Sequence, residues 1–431
     1  MVRPGFESPA DLRICFVTPR YGADIVGGAE RLVRDFAERL VTEGHQIVVL
    51  TTCARNHFTW ANELEPGQLS INGVTVRRYP VTIPKDQTRM ARLQVVIDSG
   101  LSLPPRLQRE WVTNTGFSQP LFDAIDGIAD SVDAVCFAPY LFASTVFGAV
   151  VRPERSVVIP CMHDEPYARF HIVQATLQRV AGLLFNSEEE RSLACSLLPS
   201  PLRTAVVGVG FDPVLAHPDR FRARHQLTGD LVMYAGRRES GKNYPLLLEC
   251  VSAYDSCLSR NGPVRLVAVG SGDYDPPPAA RAWICDLGFL SEEEKQDALA
   301  AATAIVNLSV NESLSYVVLE GWLSSVPAIV HANCAVTRGH CERSGGGLWI
   351  RDVEEFAEAL DRLREQPRLR NSMGAAGNHY VRDHYSWPVV LRRFTEAIVE
   401  LVASGEPTSN REERDSRPEL AETASINASS R

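Results

Sequence analysis

A glycine-bearing loop near the start of the chain has the residue types that can approach a phosphate. Gly27 and Gly28 lie between an apolar run and a segment of helical period. Without side chains they would let backbone N–H groups reach an anion at a helix N-terminus, where unpaired donors and the helix dipole favour negative charge. The alternative is an ordinary flexible turn. The spacing is not G-x-G-x-x-G, which argues against a nicotinamide-dependent dehydrogenase.

Two cations form a second group. Arg237 and Lys242 are five residues apart and follow the apolar run Leu231–Gly236. Doubly wound sheets bind ligands at the carboxyl ends of their parallel strands, so these side chains could clamp a pyrophosphate there. Taken alone, they would equally fit ordinary charges on a solvated loop.

Two carboxylates eight residues apart, Glu312 and Glu320, follow the apolar run Ala304–Ser309. We expect the first in a strand-to-helix loop and the second about one turn inside the helix, where they would contact hydroxyls of a sugar and of a ribose. The N–H groups between them would bind phosphate. Alternatively, Ser313 and Ser315 are simple helix caps and Glu320 is a surface residue. Because the sequence supplies no facing carboxylate geometry, hydroxyl recognition is favoured over acid/base catalysis.

These groups need a scaffold of alternating strands and helices. Short runs rich in Val and Ile alternate with helical-period segments from about residue 13, which is typical of βα units and a parallel sheet. A helix over Ala29–Leu40, stopped by Gly44, is the clearest local prediction. The predicted strands are Arg13–Pro19, Gln46–Thr52, Val74–Val81, Ala134–Tyr140, Ser156–Met162, Gly182–Ser187, Thr204–Val209, Leu231–Gly236, Val264–Gly270, Ala282–Gly288, Ala304–Ser309 and Pro327–His331.

The length of 431 residues favours two domains, because single cores stop growing at about 250 to 300 residues. We place a hinge near Asp212, where Val209–Pro213 ends a strand. After Trp387 and Pro388, an amphipathic helix is expected to pack back across onto the first domain. Residues 404–431 have almost no large apolar side chains and are predicted to be a disordered tail.

The composition excludes several classes of protein. The net charge of -9 comes from mixed acidic and basic residues, which gives no electrostatic footprint for nucleic acid. The ten cysteines contain no C-x-x-C pair and are interpreted as reduced thiols. No run reaches the roughly 18 apolar residues of a membrane span, and the N-terminus does not read as a cleavable signal. We therefore expect a cytoplasmic protein, with the inner face of the membrane as an alternative position.

The three groups occur in an order and spacing that resemble glycosyltransferase family 4 of the GT-B fold. The resemblance covers nearly all of residues 13–403. It implies an α/β fold with two Rossmann-like doubly wound domains facing a central cleft and a C-terminal helix crossing back to the first domain. The expected parts are an acceptor-side domain (11–211), a donor domain (212–386), a crossover helix (387–403) and the tail (404–431). The motifs on which the resemblance rests are Gly27–Arg31, Gly236–Arg237 with Lys242–Asn243, Glu312-x7-Glu320 and Gly321–Pro327.

The resemblance also implies a role for each group. Arg237 and Lys242 would neutralise the pyrophosphate of a nucleotide-diphosphate sugar, so no metal or other cofactor is expected. Glu320 would hold the ribose hydroxyls and Glu312 those of the transferred sugar. Gly28, with Gly27, would offer backbone groups from the first domain as the cleft closes. The donor site is expected to include the start of the helix between the two glutamates: Tyr316, Val317 and Val318.

A histidine on the first domain is a further candidate. The segment Cys161–Pro166 resembles the His-x-Glu-Pro segment of phosphatidylinositol mannosyltransferases, in which the His faces the reaction centre. His163 is therefore expected to contact donor or acceptor, although a lone His at a strand end is more often structural. In the segment that follows, Ser187 and Glu190 fit a capping box at a helix start.

Several features remain open. The group His331, Cys334, His340 and Cys341 has zinc-ligand types but lacks paired-ligand spacing, so a metal site is disfavoured. The family's glycine after the lysine is Asn243 here, and its Glu-Gly-Phe-Gly run is Glu312–Ser315, which leaves the sugar open. The basic segment Lys85–Trp111 is expected to be a solvated helix pair, with an acceptor flap or a membrane contact as alternatives.

The resulting hypothesis is a retaining transferase that moves a sugar, expected to be a hexose, to a glycan, lipid-linked or small-molecule acceptor. Bacterial surface polysaccharide is the favoured setting. A nucleotide-sugar epimerase of the same fold and a non-catalytic nucleotide-sugar binding subunit are the alternatives. The sequence leaves open the base, the sugar, the acceptor, the linkage and the oligomeric state.

Overall fold

The computed structural model describes residues 11–25, 27–199, 202–254, 258–259, 261–262, 264–272, 276 and 281–403. The predicted disordered tail, residues 404–431, lies outside the described residues. Among those described, no helix combines the length and the apolar composition that a membrane span needs.

Fourteen strands and fifteen α-helices are described. The strands β1 to β14 are Arg13–Val17, Gln46–Thr52, Gly67–Ile71, Val74–Tyr79, Ala134–Phe137, Ser156–Val158, Gly182–Phe185, Thr204–Val206, Leu231–Ala235, Arg265–Val269, Ile284–Gly288, Ala304–Asn307, Ala328–His331 and Gly347–Ile350. The helices α1 to α15 are Gly28–Thr42, Gln87–Asp98, Pro105–Thr113, Gln119–Ala129, Ala143–Val146, His171–Arg179, Glu188–Leu197, Pro218–Arg224, Tyr244–Ala253, Glu292–Ala300, Tyr316–Leu323, Ala335–Ser344, Val353–Glu365, Pro367–His384 and Trp387–Ala403.

The strands form two separate sheets. The first has the order β3-β4-β2-β1-β5-β6-β7-β8 and the second β11-β10-β9-β12-β13-β14. All described strand pairs are parallel except β3 with β4. In each sheet the chain runs outward from a central strand in both directions, which is the doubly wound arrangement. The predicted α/β class with two doubly wound halves is confirmed.

The strand predictions erred in specific places. The hairpin partner Gly67–Ile71 was missed because this edge strand is mostly polar and exposed. Its signal was the turn Asn72–Gly73, in which both residues have positive φ, as a type I′ hairpin turn requires. The strands predicted to reach Tyr140 and Met162 end at Phe137 and Val158. In both cases a proline follows within two residues, and proline cannot donate to a strand ladder.

The last helix packs on the first sheet. Phe394 lies 6.0 Å from Phe16 and 4.7 Å from Phe36, measured between ring centroids, so α15, α1 and β1 share one apolar core. Close to this helix, the Phe211 N–H donates to the Tyr385 carbonyl at 2.7 Å. The chain therefore leaves the first half and returns to it at neighbouring points. The division at residue 212 itself stays a prediction.

Candidate functional site

The start of α11 presents unpaired backbone donors. Ser315 precedes the helix with φ 71°, and its side chain makes no capping hydrogen bond. Instead its hydroxyl accepts from Asn307 Nδ2 at 2.7 Å. Ser315 therefore occupies the N-cap position, but its side chain does not cap the helix. The N–H groups of the first turn remain available, and a helix N-terminus with such groups favours an anion.

Lys242 and Glu312 meet beside this helix start. Lys242 Nζ donates to Glu312 Oε1 at 2.9 Å, and the side chains are 25% and 12% exposed. Asn307 Nδ2 lies 3.3 Å from the same oxygen. Burial would raise the pKa of Glu312, but the Lys242 ammonium, together with His163 and the Asn307 amide, lowers it overall. A cation and an ionised carboxylate thus lie together at the carboxyl end of β12.

The loop that carries Lys242 is fixed by the residue that follows it. Asn243 has φ 54°, and its amide Nδ2 donates to the Leu308 carbonyl at 3.1 Å. Asparagine tolerates this left-handed conformation better than most residues. The backbone geometry explains why glycine is usual at positions 243 and 315 of the family pattern. The two loops of the site are joined by this bond.

The first half contributes His163 from the loop after β6. Its Nδ1 lies 3.8 Å from Glu165 Oε1, which accepts from the Tyr140 hydroxyl at 2.6 Å. Burial lowers the pKa of His163, and the imidazole also feels the charges of Glu312, Lys242 and Arg237. The structure therefore brings His163 to the same region as the predicted residues of the second half. At neutral pH the imidazole is neutral.

The side chain of Arg237 is more exposed to solvent than that of Lys242, the other predicted cation. Its side chain is 56% exposed, and Nη2 lies 3.1 Å from Glu239 Oε1. Its carbonyl accepts from the Tyr234 hydroxyl at 2.6 Å, which fixes the backbone while the guanidinium stays solvated. An exposed ion pair of this kind is weak, so the guanidinium can exchange its partner for an anionic ligand.

The two glycines differ in what surrounds them. A Cβ on Gly27 would lie 2.1 Å from Glu30 Oε2, whereas a Cβ on Gly28 would meet nothing within 4 Å. The Glu30 carboxylate is buried and pairs with Arg20 at 2.5 Å. Gly27 is therefore needed to pack this ion pair under the loop. Gly28 leaves open space, and its role in binding phosphate stays a prediction.

Glu320 lies inside α11 and is buried. Its Oε1 accepts from Arg31 Nη1 at 2.8 Å and from Lys295 Nζ at 3.1 Å. Interpreting Glu320 as a surface residue is therefore wrong. Arg31 belongs to α1, so this carboxylate is held partly from the first half of the chain.

The remaining predicted donor residues do not all face a ligand. Val318 is fully buried in the core, and Val317 packs partly against it. The ring of Tyr316 lies between Phe211, at 5.7 Å, and the Arg31 guanidinium, at 4.5 Å. These side chains are engaged in packing. Only their backbone N–H groups could contact a phosphate.

The disfavoured zinc group does not assemble in the described part of the chain. No set of three or more His, Cys, Asp and Glu side chains able to hold a metal occurs there. His331 Nδ1 accepts from the Asn333 N–H, and His340 Nδ1 lies 3.1 Å from the Tyr380 hydroxyl. Burial lowers the pKa of His340 to about 3.

Sequence reasoning missed the structural role of Glu190. Ser187 caps α7 as predicted, by accepting from the Glu190 N–H at 3.2 Å. The Glu190 carboxylate, however, accepts from the N–H groups of Met162 at 2.6 Å and Asn186 at 2.7 Å. It thereby supports the turn before His163, where Cys161 has φ 53°. The capping pattern was visible in the sequence, but the long-range partner was not.

Comparisons with known proteins agree with this geometry. Residues 229–366 match the family described as Glycosyl transferases group 1. A D-inositol 3-phosphate glycosyltransferase of Frankia alni is 31% identical over 54% of this chain and 63% of its own length. An alpha-1,3/1,6-mannosyltransferase of Schizosaccharomyces pombe is 23% identical over 92% of this chain and 82% of its own.

The fold has close counterparts among solved structures. The Anabaena HepE protein, solved in complex with UDP, superposes with a TM-score of 0.67 at 15% identity, covering 90% of this chain and 100% of that one. At this identity the likeness concerns the fold, which is GT-B. Residues 229–366 in the second half thus resemble a group 1 glycosyltransferase domain, and the whole chain has the fold of the solved GT-B structures.

Proposed function

We propose, from that domain and that fold, that the protein is a retaining, metal-independent family 4 glycosyltransferase. It would transfer a hexose from a nucleotide-diphosphate sugar to a glycan, lipid-linked or small-molecule acceptor. The observation that carries the proposal is the Lys242–Glu312 pair beside the uncapped start of α11. A cation, backbone donors and a carboxylate are the groups that a sugar diphosphate needs.

Each residue has a defined task in this proposal. Arg237 and Lys242 neutralise the charge that develops on the departing diphosphate, with help from the first N–H groups of α11. Glu312 exchanges Lys242 for hydroxyls of the sugar, and Glu320 accepts from the ribose. His163, neutral and opposite these groups, contacts the donor or acceptor at the reacting face.

The relatives support a hexose donor and a polar acceptor. One relative is named as acting on D-inositol 3-phosphate and another as a mannosyltransferase. A setting in surface polysaccharide assembly, at the cytoplasmic side of the membrane, belongs to the proposal. The exposed side chains of Val95 and Leu101 lie in the basic segment and are where a peripheral membrane contact would form.

Nucleotide binding tests the donor site. Thermal shifts are measured without metal for UDP, GDP, ADP, dTDP, CDP and their sugars, because a ligand of the native state raises Tm by mass action. One nucleotide series is expected to stabilise the wild type, and the double variant Arg237→Ala, Lys242→Ala to lose the shift. No response from folded wild type would contradict the proposal.

Product analysis separates the alternatives. Transfer with retention is expected to give a product with the anomeric configuration of the donor, which proton NMR resolves. An epimerase would instead convert the nucleotide-sugar into its epimer, with the sugar still attached to the nucleotide and without an acceptor. Stabilisation by a sugar nucleotide with no turnover on any acceptor would favour a binding subunit. Activity that disappears with EDTA and returns with a divalent cation would contradict metal independence.

A further inference from the structure

A guanidinium from the first turn of α1 reaches a carboxylate of α11 in the other half of the chain. Arg31 Nη1 and Lys295 Nζ both donate to the same oxygen, Glu320 Oε1, at 2.8 and 3.1 Å. The Glu320 side chain is only 4% exposed. Among the described residues, no hydrogen bond to Oε2 occurs. One oxygen of this buried carboxylate is thus fixed by two cations, and the other remains as an acceptor.

Arg31 is itself held from several directions. Its guanidinium lies 4.5 Å from the centroid of the Tyr316 ring, and its Nε is 3.4 Å from Asp35 Oδ2. Burial would lower the pKa of Arg31, but the carboxylate of Glu320 raises it. A guanidinium that is stacked and paired in this way has lost most of its freedom, so it fixes the orientation of the group it binds.

We propose that Arg31 is a positioning residue that completes the ribose site from the first half of the molecule. The inference rests on the proposed function, in which Glu320 accepts from ribose hydroxyls. Arg31 does not touch the nucleotide. It holds Oε1 so that Oε2 faces the ligand, and it can do so only while α1 lies against α11. The contribution of Arg31 to ribose recognition therefore requires that α1 lies against α11, whereas Lys295 holds the same oxygen from the second half.

The same helix supplies a matched control. Arg39 lies two turns further along α1 and also reaches beyond the first half, where it pairs with Asp212. Its guanidinium lies 5.3 Å from the centroid of the Trp387 ring. Both arginines thus make one ring contact and one long-range ion pair, and Arg31 makes a second ion pair with Asp35 within α1. Only Arg31 contacts the carboxylate of α11.

The experiment compares ribonucleotides with their 2′-deoxy forms. Dissociation constants of UDP, GDP, ADP and CDP and of their 2′-deoxy forms are measured by calorimetry for the wild type, Arg31→Met and Arg39→Met. The wild type is expected to prefer the ribose form of its nucleotide about tenfold, because a hydrogen bond to a charged group is lost in the deoxy form. Arg31→Met is expected to reduce this preference by about threefold or more, and to leave the deoxynucleotide affinity within about twofold. Arg39→Met is expected to keep the preference.

The outcomes separate the inference from the proposed function. Wild type that binds none of these nucleotides, and not dTDP either, overturns both. Wild type that binds them without a ribose preference, or an Arg31→Met protein with an unchanged preference, overturns the inference alone. An equal loss in Arg39→Met also overturns it, because the effect would then come from the general contact between the halves. If Arg31→Met does not fold, Arg31→Lys is measured in its place and is expected to lose part of the preference, since an ammonium cannot reproduce the planar stacked geometry.

Discussion

The two loops that face each other in this site are supported by opposite chemistry. Under the His163 loop of the first half lies a buried carboxylate, Glu190, which accepts from two backbone N–H groups. In the second half a buried imidazole, His340, lies in an aromatic cluster with Trp322 and Tyr380 and contacts the Leu314 backbone of the Glu312 loop. Glu190 holds the backbone of its loop by accepting hydrogen bonds. His340 instead packs as a neutral imidazole among aromatic rings. Under the proposed function, the charges that act on the donor come from the second half, and the first half mainly supplies shape.

The largest effect is expected from removing the Lys242 ammonium, which would contact the donor directly. Lys242→Met should lower kcat for sugar transfer by about a thousandfold, because it deletes a cation that stabilises leaving-group charge. Lys85→Met is the matched change on the first half, where the ammonium donates to the Phe58 carbonyl. It should cost less than about tenfold if the first half supplies shape. Steady-state kinetics of both variants measure the difference, and equal losses would contradict the comparison.

The next largest effect is expected from removing the buried carboxylate of Glu190, which should lower the stability of the fold. Glu190→Ala leaves the N–H groups of Met162 and Asn186 buried without an acceptor and should lower the free energy of unfolding by roughly 3 to 4 kcal/mol. Urea unfolding measures it. Glu188→Ala, on the same helix turn, removes only an exposed pair with Arg191 and should change it by less than about 0.5 kcal/mol. Similar values for the two variants would argue against a supporting role of Glu190.

The contributions of Glu190 and His340 to the free energy of unfolding should change with pH in opposite directions. Burial raises the pKa of Glu190 to about 8, although backbone N–H groups oppose it. Its stabilising contribution is therefore present below the unfolded pKa and is lost as pH rises towards 8. Burial lowers the pKa of His340 to about 3, so its contribution is present above the unfolded pKa and is lost as pH falls from about 6.5 towards 3.

Each change should amount to about 5 kcal/mol across its window, by linkage. Urea unfolding at pH 5, 7 and 8 should show a flatter alkaline dependence for Glu190→Gln than for wild type. At pH 4 and 7, His340→Phe should show a flatter acid dependence, whereas His379→Phe, at an 81% exposed side chain, should follow the wild type. If Glu190→Gln and His340→Phe kept the wild-type dependence of unfolding free energy on pH, these two residues would not be its source.

The smallest effect is expected at the left-handed residues of the second half. Ser315→Gly relieves a positive φ, but it also removes the hydroxyl that accepts from Asn307. The two terms oppose each other, so the free energy of unfolding should change by less than about 1 kcal/mol. Ser313→Gly is the control at a position without positive φ and should only destabilise. Thermal unfolding of both variants measures the size and the sign of each change in stability.

The sequence indicated the strands at the site because each is a short apolar run followed by polar residues. Lys242 and Glu312 were found in this way, and the structure places them in direct contact. The sequence placed Arg31 in the Gly27–Arg31 motif but did not indicate that it would meet Glu320, because the two are 289 residues apart. Val318 was included in the donor site although its side chain is buried, since position along a helix does not reveal which face is covered.

By itself the sequence determined the alternation of strands and helices, the parallel sheets and the order of the polar groups along the chain, because these follow from local periodicity and from turn residues. Only the tertiary structure decided which charges pair. Glu320 is held from α1, Glu190 supports a loop 28 residues away, and Ser315 gives its oxygen to Asn307 rather than to its own helix. The physical reason is that a buried charge or polar group must find a partner wherever packing brings one, and packing joins segments that are distant in sequence.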